Sequence, residues 1–134
     1  MSSRRAGEEA ETIYYCYVVD ASNHLIGVYS SWGWSPSRTA VAVDNTVWVG
    51  NRGCRNILSS CDAGDPRHGN AVHLDADGNL ICRADVTGSS VAVRAVTIDA
   101  DGNAWIGSWS GGHIYKFSGS QVQDNPDGTP RCVQ

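Results

Sequence analysis

The chain has 134 residues, a formal net charge of −4 at pH 7 and a hydrophobic share of 41%, the dimensions of one modest globular domain. Lys116 is the only lysine and no basic stripe occurs, which excludes binding to nucleic acid through its phosphates. No apolar run approaches the roughly 18 residues of a membrane-spanning helix, so no membrane partner is expected.

Residues 1–11 hold Arg4, Arg5, Glu8, Glu9 and Glu11 without an apolar core, and read as a flexible N-terminal tail rather than a secretory signal. Beyond it the sequence repeats itself. Fifteen glycines, five tryptophans and five tyrosines against one phenylalanine suit many short strands joined by tight turns. Tyr17-Val18-Val19-Asp20, a turn and Leu25-Ile26 match Val72-His73-Leu74-Asp75, a turn and Leu80-Ile81. Ile114-Tyr115-Lys116-Phe117 fills the same slot a third time. Ala40-Val41-Ala42-Val43-Asp44 matches Ala95-Val96-Thr97-Ile98-Asp99, 55 positions on (99 − 44 = 55). Val47-Trp48-Val49-Gly50 matches Ala104-Trp105-Ile106-Gly107, 57 positions on (105 − 48 = 57), which predicts a second turn two residues longer. Asp77-Gly78-Asn79 and Asp101-Gly102-Asn103 are hairpin turns, because Asp, Gly and Asn tolerate positive φ.

Four strands, A to D, make the unit. Strands C and D of one unit fall at 12–30, a full unit at 38–86 (A at 39–44, B at 46–50, C at 70–75, D at 79–85) and another at 92–134 (A at 93–99, B at 103–107, C at 112–117, D weakly marked after Ser120). The expected fold is all-β: about two and a half four-stranded antiparallel β-propeller blades over 12–134, an incomplete ring. Each blade must shield its neighbour's apolar face, so other blades are the expected partners, from a longer chain or from self-assembly. Trp48 and Trp105 recur at one place in strand B and are expected between blades.

Thr97-Ile98-Asp99-Ala100-Asp101-Gly102-Asn103-Ala104-Trp105-Ile106-Gly107, followed by Gly112-His113-Ile114-Tyr115-Lys116-Phe117, resembles the repeat of streptogramin (virginiamycin B) lyase-like propellers and of two-component-regulator sensors. The resemblance covers roughly residues 12–118. It implies blades, and for a lyase a magnesium-assisted ring opening with a histidine base. His68 and His113 match no catalytic motif of that family, so no catalytic residue and no cofactor is carried over. Such blades also occur in binding proteins.

In an up-and-down blade the D–A and B–C connections share one rim. That rim collects Trp32, Trp34 and Trp109, with Arg38, Arg52, Arg94, His68 and His113 on or near it, against small turn residues opposite. Trp32, Trp34, Arg38, Arg52, Arg94, Trp109 and His113 are therefore the candidate contacts for a small molecule, glycan or protein. The tryptophans equally suit core capping, and Arg38 and Arg94 suit structural ion pairs.

Five cysteines, Cys16, Cys54, Cys61, Cys82 and Cys132, suggest an oxidising compartment, extracellular or periplasmic. Cys54 and Cys61, inside the long B–C connection, are the disulfide candidates. Cys54, Cys61, His68 and His73 also offer zinc-type donors, at a spacing wider than usual for zinc. The pairing of Cys16, Cys82 and Cys132 is not readable. The two Asp-Ala-Asp-Gly-Asn segments lack the twelfth-position Glu of a calcium loop. The expected function is a propeller segment acting as a binding module, with a fragment of a propeller enzyme (lyase- or lactonase-like) and a purely structural scaffold as alternatives.

Overall fold

One turn, formed five times among the described residues, sets the strand pairing. Its first residue donates its N–H to the carbonyl four residues on, and the fourth residue donates back to the carbonyl of the first. The first residues are Asp20, Ala42, Asp75, Asp99 and Asn125. The fourth sits at positive φ in each: Asn23, Asn45, Gly78, Gly102 and Gly128. This is the three-residue hairpin loop, in which only glycine and asparagine-like residues take the left-handed position cheaply. Side-chain oxygens finish the turn in two ways. Asp20, Asp75 and Asp99, at the first position, accept from the N–H groups two and four residues on. Asp44 and Asp127, at the third, accept from both the N–H and the hydroxyl of Thr46 and Thr129.

The computed structural model describes residues 5–6, 13–53, 69–86, 92–108 and 112–134. They contain no helix. The strands are β1 (Arg5–Ala6), β2 (Ile13–Val19), β3 (Leu25–Ser30), β4 (Pro36–Val41), β5 (Val47–Asn51), β6 (Asn70–Leu74), β7 (Leu80–Asp85), β8 (Val93–Ile98), β9 (Ala104–Ser108), β10 (Ile114–Phe117), β11 (Val122–Asp124) and β12 (Pro130–Cys132). They form three sheets, ordered β1-β2-β3, β11-β12-β7-β6-β5-β4 and β10-β9-β8. β1, which lies inside the stretch 1–11 expected to be a tail, pairs with β2.

The pairing register corrects the strand A alignment. Trp48 lies between Ala40 and His73, and Trp105 between Thr97 and Lys116. Ala40 therefore corresponds to Thr97, and Ala42 rather than Asp44 to Asp99. One offset of 57 (97 − 40 = 57, 105 − 48 = 57) runs through both strands and the turn, and the two turns are equally long. Strand A of the middle unit accordingly ends at Val41, and Val43 stands fully exposed, at 105%. The similar-looking Ala-Val-Ala-Val-Asp misleads because its aspartate caps from the third turn position instead of the first. A bulge recurs at the same place, between Pro36 and Arg38 and between Val93 and Ala95. Arg38 thus corresponds to Ala95, and Arg94 to Ser37. The C–D match holds at 55, its bulge included: Val18 pairs with Gly27 as His73 pairs with Cys82, and Val19 with Leu25 as Leu74 with Leu80.

The sheets stack in chain order. Trp48, Ala71, Cys82 and Ala84 of the middle sheet pack against Val93, Ala104, Ile106 and Phe117 of the last. Val49, Val72 and Leu74, on the middle sheet's other face, pack against Cys16 of the first. β8 lies beside β4 and β5. An added Cβ at Gly50 would stand 2.6 Å from Val93 Cγ1 and 2.9 Å from Val96 Cγ2, so the absent side chain there permits the close approach. A groove of about 410 Å³ remains over Thr39, Val41, Val47 and Val49, beside β2.

The segment after Ser120 departs from expectation. It forms the hairpin β11-β12, which joins the middle sheet instead of completing the last one. β12 lies parallel to β7, with Arg131 opposite Arg83. A disulfide between Cys82 and Cys132, with Cα atoms 5.0 Å apart, anchors it. It closes 50 residues of chain, a constraint that outweighs the continuation of β10 into a fourth strand.

Candidate functional site

The loop between β3 and β4 and the end of β5 meet at one end of the stack. Arg52 N–H donates to Ser35 O at 3.0 Å and Gly53 N–H to Trp34 O at 2.9 Å, which zips residues 34–35 onto 52–53. Asn51, fully buried, donates from Nδ2 to Ser31 O at 2.8 Å. Beneath the loop lies Asn70, with a single amide oxygen claimed from two sides. In one orientation it accepts from Asn51 Nδ2 at 2.8 Å. In the other it accepts from Arg83 Nε at 3.0 Å and Nη2 at 2.7 Å. The guanidinium is the stronger claimant, because a charged donor makes the stronger hydrogen bond. An added Cβ at Gly33 would fall 2.5 Å from Asn51 Nδ2, so the loop closes on this polar floor only with glycine there.

Above the floor, Trp32 and Ser35 sit at positive φ, 52° and 54°. For a bulky aromatic residue this conformation costs about 1–2 kcal/mol. Two bonds hold it: Ser31 Oγ donates to Gly33 O at 3.0 Å, and Trp32 N–H donates to Ser30 Oγ at 3.0 Å. Trp32 is 47% exposed despite that cost. Trp34 is half-buried. Arg52 is half-buried, its Nε shut off from water without a hydrogen-bond partner among the described residues.

The remaining candidates disperse. Arg38 is exposed on the middle sheet, across from Gly50, and donates from Nη1 to Ser37 O at 2.8 Å. Arg94 occupies the bulge of β8 and is half-buried. His113 is exposed beside β10, its ring 6.1 Å from that of Tyr115. No hydrogen bond or ion pair among the described residues joins Trp32, Arg38, Arg52 or His113 to one another. Trp109, His68, Cys54 and Cys61 lie outside the described residues, and with them the expected Cys54–Cys61 bridge. The fourth zinc-type donor, His73, is engaged elsewhere. It is buried, stacked on Trp48 at 4.4 Å and 14°, with Nε2 2.7 Å from Thr46 Oγ1. Among the described residues no three His, Cys, Asp or Glu side chains are grouped closely enough to hold an ion.

Thr46 Oγ1 donates to Asp44 at 2.7 Å, so it accepts from a His73 Nε2–H. Burial holds the His73 imidazolium below its ordinary pKa, partly offset by the Asp44 charge. The carboxylates of Asp44, Asp75, Asp99 and Asp127 are held low. Trp105 Nε1, 2.8 Å from Asp99 Oδ2, is the chief cause at Asp99, and the bonds from Thr46, Asn79 and Thr129 at Asp44, Asp75 and Asp127. Burial pushes the Cys16 thiol up to about 11, far from reactive.

The Asn51–Asn70–Arg83 floor escapes sequence reading. Its one signal is an asparagine at each end of the long connection, Asn51 closing β5 and Asn70 opening β6. A disulfide between Cys82 and Cys132 fits an extracellular setting, and no helix among the described residues is long and apolar enough to cross a membrane. No protein-family model matches the chain, and no curated protein shows significant similarity to it. What the fold and site define is a class: an all-β stack of three sheets joined by one repeated hairpin turn, with an exposed aromatic loop at one end.

Proposed function

We propose that the three sheets are successive β-propeller blades and that the segment works as a binding module, its ligand seated on the loop end around Trp32. The recurring register supports the blade reading: the 57-residue offset with its bulge, the 55-residue C–D offset and the packing of β8 against β4. The resemblance of residues 97–107 and 112–117 to streptogramin lyase-like repeats points the same way, from the same strands and turn.

The binding reading is carried by Trp32. A large indole kept in a strained backbone conformation, with its ring presented to water and braced by Ser30, Ser31 and the zipped Arg52–Gly53 segment, is arranged for contact rather than for burial. A fixed aromatic plane with polar neighbours suits the flat apolar face and hydroxyl edge of a sugar. Titration calorimetry against a panel of soluble oligosaccharides tests this. Trp32→Gly relieves the positive φ and leaves the fold intact, and the affinity of a saccharide bound by the parent protein is expected to fall about tenfold or more. Unchanged affinity in the variant, or a parent protein that binds none of the panel, returns the segment to the scaffold reading. No observation among the described residues favours the lyase- or lactonase-like alternative.

A further inference from the structure

Asn51, Asn70 and Asp85 lie in one row across β5, β6 and β7, on the face turned toward the first sheet, with Arg83 two residues before Asp85 on the same face. Asn51 and Asn70 are shut off from water, at 0% and 1% exposure, so their amides must find partners within the protein. They cannot all do so. With Asn70 turned to accept from Asn51 Nδ2 at 2.8 Å, its own Nδ2 faces Arg83 Nε at 3.0 Å and Nη2 at 2.7 Å, donor against cation. With Asn70 turned to accept from Arg83, its Nδ2 meets Asn51 Nδ2 at 2.8 Å instead, donor against donor.

A half-turn of the Asn51 amide removes the second clash, since its Oδ1 then accepts from Asn70 Nδ2. The same half-turn puts that oxygen 2.8 Å from Ser31 O, to which Nδ2 had been donating. Two acceptors repel at that distance, and the loop carbonyl loses its bond to the sheet. Turning Asn51 alone is worse, because its oxygen then opposes both Ser31 O and Asn70 Oδ1. The two amides therefore turn together, and the row has two settings, each with one conflict left. In one, Asn51 latches Ser31 and Arg83 is denied the Asn70 oxygen; Asn51 Oδ1 is then buried without a hydrogen-bond partner among the described residues. In the other, Arg83 holds Asn70 and Ser31 is let go.

We propose that this row is a two-position relay, in which the Arg83 guanidinium governs the hold on the Trp32 loop through Asn70 and Asn51. Residues 31–33 are the part it moves. Ser31 is fully buried on Asn51, Ser31 Oγ donates to Gly33 O and Trp32 N–H donates to Ser30 Oγ, so these residues travel as one piece. Residues 34–35 stay zipped to 52–53 in both settings and serve as the hinge. Arg83 is the outer end of the relay, with 36% of its side chain exposed and its Nε 3.1 Å from Asp85 Oδ1. The relay stands on hydrogen bonds alone and works whether or not Trp32 meets a saccharide.

Hydrogen–deuterium exchange of residues 31–33 in the full chain, with no ligand present, tests the relay, since exchange reads the opening equilibrium of the segment. Asn70→Asp supplies one carboxylate that accepts from Asn51 on one side and from Arg83 on the other, so the conflict ends with Ser31 latched. Arg83→Met removes the rival donor, so Asn70 keeps its oxygen on Asn51. Both variants are expected to slow exchange at 31–33 about tenfold. The Arg83→Met result separates the relay from simple bracing, because the loss of a guanidinium that merely supported the floor would loosen the loop. Faster or unchanged exchange in Arg83→Met overturns the proposal, and so does faster or unchanged exchange in Asn70→Asp. Near-UV circular dichroism checks folding, and Arg83→Leu takes the place of the methionine variant if that one fails to fold. A protein that binds no saccharide yet shows both slowed exchanges loses the binding reading and keeps the relay.

Discussion

Trp48 and Trp105 occupy one register but differ in what reaches the indole N–H. Asp99 accepts from Trp105 Nε1, while Trp48 Nε1 is buried without a hydrogen-bond partner among the described residues. The difference comes from a single residue, because Ala42 stands in the first turn position that Asp99 holds. An unmade hydrogen bond on a buried donor costs about 1–3 kcal/mol. Ala42→Asp is therefore expected to stabilise the fold by about 1 kcal/mol in urea unfolding, less than the full penalty because the new carboxylate lies near Asp44. An unchanged or lowered midpoint would mean that the carboxylate does not reach the ring. The opportunity is invisible in the sequence, where Asp44 looks like the match for Asp99 and Ala42 like a strand residue.

At the scale of elements, the hairpin β11-β12 depends on its disulfide more than on its pairing. It meets β7 through a single registered residue pair, and that pair sets Arg131 beside Arg83. Side chains on β11 are exposed. Closing 50 residues of chain by a covalent link contributes about 4 kcal/mol in the chain-entropy account. Replacing Cys82 and Cys132 together by alanine is expected to lose a large part of that in chemical denaturation. Amide exchange across 122–132 should accelerate well before that of β4–β7, and equal protection in both would show that strand pairing alone holds the hairpin. Hairpin turns and strand identities were legible in the sequence, since Asp-Gly-Asn turns and β-prone runs are local. The destination of β12 was not: parallel pairing with a strand some 50 residues earlier leaves no local pattern.

At the scale of the molecule, burial separates positions that the repeat makes identical. Gly50 and Gly107 hold one place in successive sheets, yet only Gly50 is covered. Gly50→Ala is expected to cost about 1–3 kcal/mol by forcing Val93 and Val96 outward. Gly107→Ala should stay within about 0.5 kcal/mol of the parent protein. Equal costs would show that the stacking order is wrong. The candidate site follows the same logic. Loop residues such as Trp32 and Trp34 could be assigned to one end from strand order, but their exposure and the Asn51–Asn70–Arg83 floor depend on how separate elements meet.

The amino-acid sequence by itself determined the all-β class, the repeated hairpin turn and the C–D register, because alternation and turn chemistry act over a few residues. Only the tertiary structure decided the A-strand register, the partner of Cys132, the separation of Arg38 from Arg94 and the burial of one tryptophan beside the exposure of its counterpart. Each of these depends on which surfaces pack across the gap between sheets, and that free energy belongs to pairs of elements distant in the chain.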